Sequence, residues 1–146
     1  MEHTTLAVLN LLGAIWVGSI VFQSLFVAPT LFQHVDEQSA GRFLRAIFPR
    51  FYKLGAVCGA SMLGAAIFAL SGGFAPGRGM LLAAIVIMTA AQLVSLRMVP
   101  SINSARDAGE TGHSRFKRLH AISVSLTLLT LILGVGVLIA LVRTPV

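Results

Sequence analysis

Ionic residues are scarce in this chain. Only 11% of its 146 positions are Asp, Glu, Lys or Arg, whereas 56% are hydrophobic, and the mean hydropathy is +0.88. That balance excludes a soluble globular domain, which needs more polar surface to cover its core. Cysteine is nearly missing as well. Cys58 is the only one and lies inside an apolar run, so an intrachain disulfide and a thiolate metal cluster are both excluded, and Cys58 reads as a small packing residue. At the start of the chain Glu2 and His3 precede the apolar run, with no basic n-region and no small-residue cleavage site, so no removable signal peptide is expected. No Ser or Cys has a base and an orienting acid near it in the pattern, which gives nucleophilic catalysis no support.

Four long uncharged stretches are what the chain does have: Leu6–Phe32, Leu54–Phe74, Gly79–Leu96 and Ala121–Val142. Each reaches the roughly 18 apolar residues with which a helix crosses a hydrocarbon layer about 30 Å thick. The fold class is therefore all-α, an integral membrane four-helix bundle forming one domain over residues 1–146. Helices are expected at about 6–30, 51–74, 79–99 and 117–142.

The charges fall between these stretches and do so unevenly. Arg42, Arg45, Arg50, Lys53, Arg97, Arg106, Arg115, Lys117 and Arg118 cluster on one side, nine in all, against Arg78 and Arg143 on the other. By the positive-inside rule the two long connections are cytoplasmic and both termini lie outside, in a bacterial inner membrane. The net charge of +6 then needs no nucleic acid. Anionic lipid headgroups account for basic residues at the membrane edge, at ~1 kcal/mol each. The expected partner is thus the bilayer, with a homo-oligomer or another membrane partner left open.

Between the first two stretches, Asp36 suits an N-cap, and Ala40, Phe43, Leu44, Ile47 and Phe48 recur at helical spacing until Pro49. The pattern predicts a short helix over about 37–48 lying in the interface plane. Ser101–Ser114 is more polar and contains Gly109 and Gly112, which predicts a frayed, mobile turn around Asn103–Ala108. Arg50-Phe51-Tyr52-Lys53-Leu54 leads into the second stretch much as Arg115-Phe116-Lys117-Arg118-Leu119 leads into the fourth. Two duplicated helical hairpins would give that repeat.

Polar residues inside the stretches fall on single faces. His120, Ser123, Thr127, Thr130 and Gly134 share one side of the fourth helix; Leu12, Trp16, Ser19, Gln23, Phe26 and Thr30 share one side of the first; Thr89, Gln92 and Ser95 lie together on the third. Overlapping small-residue spacings on the second helix, Gly55, Gly59, Ala56, Ala60 and Gly64, let neighbours approach closely. Candidate binding residues are Gln23, Arg50, Gln92, Arg97, Asn103, Arg106, Asp107 and His120, as a cytoplasm-facing polar cluster. No second histidine lies at ligand spacing from His120, since His3, His34 and His113 are elsewhere, so no metal site is expected.

Several motifs carry a resemblance. Trp16-x-Gly18, Val21-Phe22-Gln23, Val27-Ala28-Pro29-x-Leu31-Phe32, Phe48-Pro49-Arg50-Phe51-Tyr52, Pro100-x-Ile102-Asn103-x-x-Arg106-Asp107 and Phe116-x-x-Leu119-His120-x-x-Ser123 resemble the bacterial domain-of-unknown-function family grouped with transmembrane protein 205. The resemblance implies a small four-helix inner-membrane protein and brings no reaction with it. More distantly the arrangement is similar to copper-resistance membrane domains and to the four-helix protoporphyrinogen oxidase family. Members of the latter use a histidine in the first helix for haem, and residues 6–30 here contain none.

Two functions follow as expectations. The first is a non-enzymatic binding, transport-accessory or scaffold component built around the polar cluster, with no cofactor. The alternative is a haem- or metal-linked membrane redox protein using His120.

Overall fold

The computed structural model describes residues 2–70 and 78–143. The expected end of the second helix at Phe74, and the short connection before Gly79, lie outside those residues. The first span is α1 (Glu2–Phe22), a π-helical turn at Gln23–Val27, and α2 (Ala28–His34). It is followed by α3 (Glu37–Leu70), α4 (Arg78–Asp107), a 3₁₀ turn at Gly109–Gly112, and α5 (His113–Val142). Four helical spans are long and apolar enough to cross a membrane. Between 22% and 33% of each span's most apolar window is buried inside the protein, so most of each span is left to face lipid. Exposed Leu11, Phe22, Val57, Phe68, Ile87 and Ile132 lie on all sides of the bundle, a surface that water would not tolerate and acyl chains do. The chain is a multi-pass, all-α membrane protein.

Packing closes in a ring: α1 touches α3 and α5, and α4 touches α3 and α5. The shared centre holds Trp16, Ile20, Met62, Ile85, Met88, Gln92, Ser95 and Thr130, each less than 2% exposed. Two glycines make that centre possible. A Cβ on Gly55 would sit 2.6 Å from Trp16 Nε1 and 2.9 Å from Gln92 Cδ; one on Gly59 would sit 2.3 Å from Thr89 Oγ1. The small residues of α3 thus admit a tryptophan ring and a carboxamide. Gly64 lies on the same helix, but nothing stands within 4 Å of where its Cβ would be, so the stripe divides into a packed half and a lipid-facing half.

Two expectations about the connections are corrected. Residues 37–48 are helical but form the first part of α3, which runs unbroken through Pro49 for 34 residues. At ~1.5 Å per residue that is ~51 Å, roughly 20 Å more than the hydrocarbon thickness. Proline forfeits one backbone hydrogen bond and need not end a helix whose neighbours hold it. Here α4 does the holding. Ala40 and Leu44 are buried and Gly41 lies against the Arg106 guanidinium, so that part of the apolar face meets protein, while Phe43 stays exposed. Asp36 accepts a hydrogen bond from the Ser39 backbone N–H at 2.9 Å and caps the start.

Ser101–Ser114 is likewise compact rather than frayed. α4 continues through Pro100 to Asp107, and Gly109, at φ +58°, supplies the left-handed residue that turns the chain. Gly112 then passes so close to α4 that a Cβ there would stand 2.0 Å from the Ala105 carbonyl oxygen. Both glycines serve a tight turn, which the sequence pattern alone presents as looseness.

Candidate functional site

The first span changes register at Gln23–Val27. Pro29 has no N–H to give to the Leu25 carbonyl, and its ring would crowd that oxygen in a regular α-helix, so a widened turn just before it relieves the conflict. The extra residue rotates the remainder of the span by about 100°. Trp16 and Gln23 remain on the inner face, but Phe26 (59% exposed) and Thr30 turn outward, and Ser24, Ala28 and Phe32 border an open cavity, with Phe32 itself 61% exposed. The face predicted from unbroken helical spacing therefore ends at Gln23.

Beyond the π turn, α2 runs beside α3, and among the described residues no Cα of α2 comes within 8 Å of one in α5. The two spans part there and leave a partly open cavity of about 460 Å³, bounded by the π turn and α2, by the charged-end halves of α3 and α5, and by the end of α4. Phe48, Phe51 and Tyr52 form an aromatic wall, with the Phe48 and Tyr52 rings stacked at 5.8 Å and Phe51 edge-on to Tyr52 at 5.2 Å. The phenol of Tyr52 and the hydroxyl of Ser123 lie 2.6 Å apart, joining α3 to α5 across the base. Thr127 lines the cavity while donating to the Ser123 carbonyl at 3.0 Å. Gln23 is buried on its wall, and its Nε2 has no hydrogen-bond partner. A buried amide donor without an acceptor is costly, of order 1–3 kcal/mol.

The eight residues proposed from sequence divide into several groups. Gln23, Asn103 and His120 line the cavity. Arg106 stands one layer behind, its Cζ 5.5 Å from the centre of the Phe116 ring, which stacks in turn on His120 at 5.6 Å. Asp107 faces away from the cavity and forms a two-pronged ion pair with Arg45, one arm of which is Nη1 to Oδ2 at 3.0 Å. The pair is well exposed, at 37% and 57% of the side-chain surface. Arg50 folds back to donate to the Ala46 carbonyl at 2.6 Å, and Arg97 is exposed off the cavity wall. Gln92 is in the bundle centre against Gly55, with neither amide atom hydrogen-bonded.

Tyr52 and Ser123 belong to the cavity without having been chosen from sequence, and Thr127 joins them from the polar face of the fourth helix. A signal for Tyr52 did exist: it is the only tyrosine in the chain, and it lies inside the Phe48–Tyr52 motif. Arg45 was hidden because a helical wheel shows which face a residue takes, not which distant helix ends opposite it.

For a haem or metal, the donor set does not fit. His120 is the one imidazole on the wall, and among the described residues no three His, Cys, Asp or Glu side chains gather as a metal would need.

No solved structure matches the chain. An uncharacterized protein of Aquifex aeolicus (strain VF5) is 27% identical over 141 residues, covering 97% of this chain and 96% of its own length. A family model described as a domain of unknown function (DUF4149) matches residues 11–111, from the middle of α1 through the π turn, α3 and α4 to the turn before α5, and the chain belongs to that family.

Proposed function

We propose that this protein is a non-enzymatic binding component of the bacterial inner membrane, holding a small membrane-soluble molecule in the cavity at its basic end, which faces the cytoplasm. The observation that carries the reading is the parting of α2 from α5 at the π turn, which opens a 460 Å³ space with a buried, unpartnered amide on its wall. The volume lies within the ~300–1,000 Å³ of small-molecule sites, and the lining is mostly apolar with a few convergent polar groups, as such sites are. Its lips carry Phe32 from α2 and Val124 and Leu128 from α5, all well exposed and all within uncharged stretches. A molecule would enter from the bilayer. Orientation follows from the nine basic residues at this end against two at the other.

The redox alternative rests on His120, which stacks on Phe116 at the cavity edge, and it lacks a second axial ligand. The binding reading is tested by purifying the full chain in detergent, extracting it with organic solvent and identifying what was retained. A near-stoichiometric amphiphile in the wild type, reduced in Val124→Trp, is the expected result. Wild-type protein that carries nothing, together with a Soret band in its absorption spectrum, would replace the binding reading with the redox one.

A further inference from the structure

The polar groups on the cavity wall restrict what it can hold. Among the described residues, no Asp, Glu, Lys or Arg lines it. Of the cations near its rim, Arg45 is held by Asp107 in a two-pronged pair, and Arg106 lies over the Phe116 ring outside the wall. An anionic headgroup drawn inside would lose water without gaining a counter-charge, which costs several kcal/mol. A neutral head meets no such penalty.

Among the described residues, the buried wall atom left without a hydrogen-bond partner is a donor. Gln23 Nε2 is fully buried and unpartnered, and it lies at the first residue of the π turn, the point where the cavity begins. By contrast, the hydroxyls of Tyr52 and Ser123 are paired with each other and Thr127 is bonded to its own helix. What the wall needs is therefore an acceptor oxygen, carried on an apolar body that fits among Phe48, Phe51 and Tyr52.

We infer that the cavity binds a neutral lipid with a compact, oxygen-bearing head, entering sideways between α2 and α5 and accepting a hydrogen bond from Gln23 Nε2. This deepens the binding reading above and rests on it. At about 30 Å³ per small heavy group, the volume takes roughly fifteen such groups. That is a head and the first part of a chain, with the rest of the chain left in the bilayer. Two membrane sources share the chemistry, a diacylglycerol and an isoprenoid quinone.

The test uses the full chain in detergent, titrated with dioleoylglycerol, with a short-chain prenylated benzoquinone and with dioleoylphosphatidylglycerol, bound lipid being counted by native mass spectrometry. Retention of at least one neutral probe in preference to phosphatidylglycerol is expected, and which of the two binds better identifies the source. Gln23→Leu, close in volume, should weaken that binding roughly five- to tenfold, the worth of one neutral hydrogen bond. Val124→Trp, on an exposed lip where the fold has room, should reduce binding of every probe. Phosphatidylglycerol bound as well as the neutral probes, and equally sensitive to Val124→Trp, would overturn the neutral-lipid inference while leaving a binding cavity. If Gln23→Leu binds the neutral probes like wild type, the donor role assigned to Gln23 is wrong. No probe retained, or retention indifferent to Val124→Trp, would overturn both the inference and the binding reading.

Discussion

Replacing single glycines of α3 by alanine separates packing from helix propensity within one element. In Gly55→Ala the new methyl would lie 2.6 Å from Trp16 Nε1 and 2.9 and 3.0 Å from Gln92 Cδ and Cγ, well inside ordinary contact. Gln92 can give a little, but the indole is 0% exposed and enclosed by the bundle. In Gly59→Ala the methyl would meet Thr89 Oγ1 at 2.3 Å and both Thr89 Cβ and Trp16 Cη2 at 3.0 Å. Rotating Thr89 away would break its 2.7 Å bond to the Ile85 carbonyl and still leave the ring in place. Overpacking of this kind costs about 1–3 kcal/mol, and the better helix propensity of alanine returns up to ~1 kcal/mol. With the full propensity gain, each variant should still be less stable by up to about 2 kcal/mol. Gly64→Ala, with nothing within 4 Å of its Cβ position, meets no such obstacle and should be neutral or more stable by up to ~1 kcal/mol. Thermal unfolding in detergent, followed by circular dichroism, ranks the three. Trp16, the only tryptophan, reports in parallel, its emission changing in Gly55→Ala and Gly59→Ala and staying fixed in Gly64→Ala. Should Gly55→Ala melt at or above Gly64→Ala, the close packing of Trp16 and Gln92 on α3 would be refuted.

Other perturbations probe the basic end. Asp107→Ala and Arg45→Ala should lower the melting temperature by similar amounts, and both by more than Glu110→Ala, because the first two break one cross-helix pair; three equal shifts would show that the pair adds nothing. Tyr52→Phe removes the bond between α3 and α5 and should cost ~0.5–1 kcal/mol, measured by the same melts, with Ser123→Ala no worse. The Ser39 backbone N–H and hydroxyl hold the Asp36 carboxyl below its usual 3.8. A depressed carboxylate stabilises the fold above its unfolded value, and that contribution is lost as pH falls through the folded one. Protection of the amides in the first turn of α3, taken relative to the intrinsic exchange rate at each pH, should accordingly fall below about pH 4, and unchanged protection would show that Asp36 does not act as the cap. Reporter fusions after Val146 and within Ser101–Ser114 should signal opposite sides of the membrane, and a cytoplasmic C-terminus would invert the orientation.

Hydropathy determined the architecture before any contact was known. An uncharged run of about twenty residues has one stable way to satisfy its backbone in lipid, which is a helix, so four runs gave four spans. Faces within a run were legible as far as the helix stayed regular. Ser123, Thr130 and Gly134 on α5 and Thr89, Gln92 and Ser95 on α4 are all buried, as their spacing predicts. Spacing lost its meaning at the π turn, where one extra residue sent Phe26 and Thr30 outward and set Ser24 and Ala28 along the cavity. Proline and glycine were ambiguous for a related reason. Pro49 and Pro100 signal breaks in a lone helix and are absorbed in packed ones, while Gly109 and Gly112 look like slack in a sequence and form a tight turn against Ala105. Only the tertiary structure decided which charges meet and which polar atoms go without partners. Arg45 found Asp107, Arg106 found Phe116, and Gln23 was left with a free donor. These outcomes depend on distances between helices far apart in sequence, whereas periodicity along a helix reports only the direction in which each residue points.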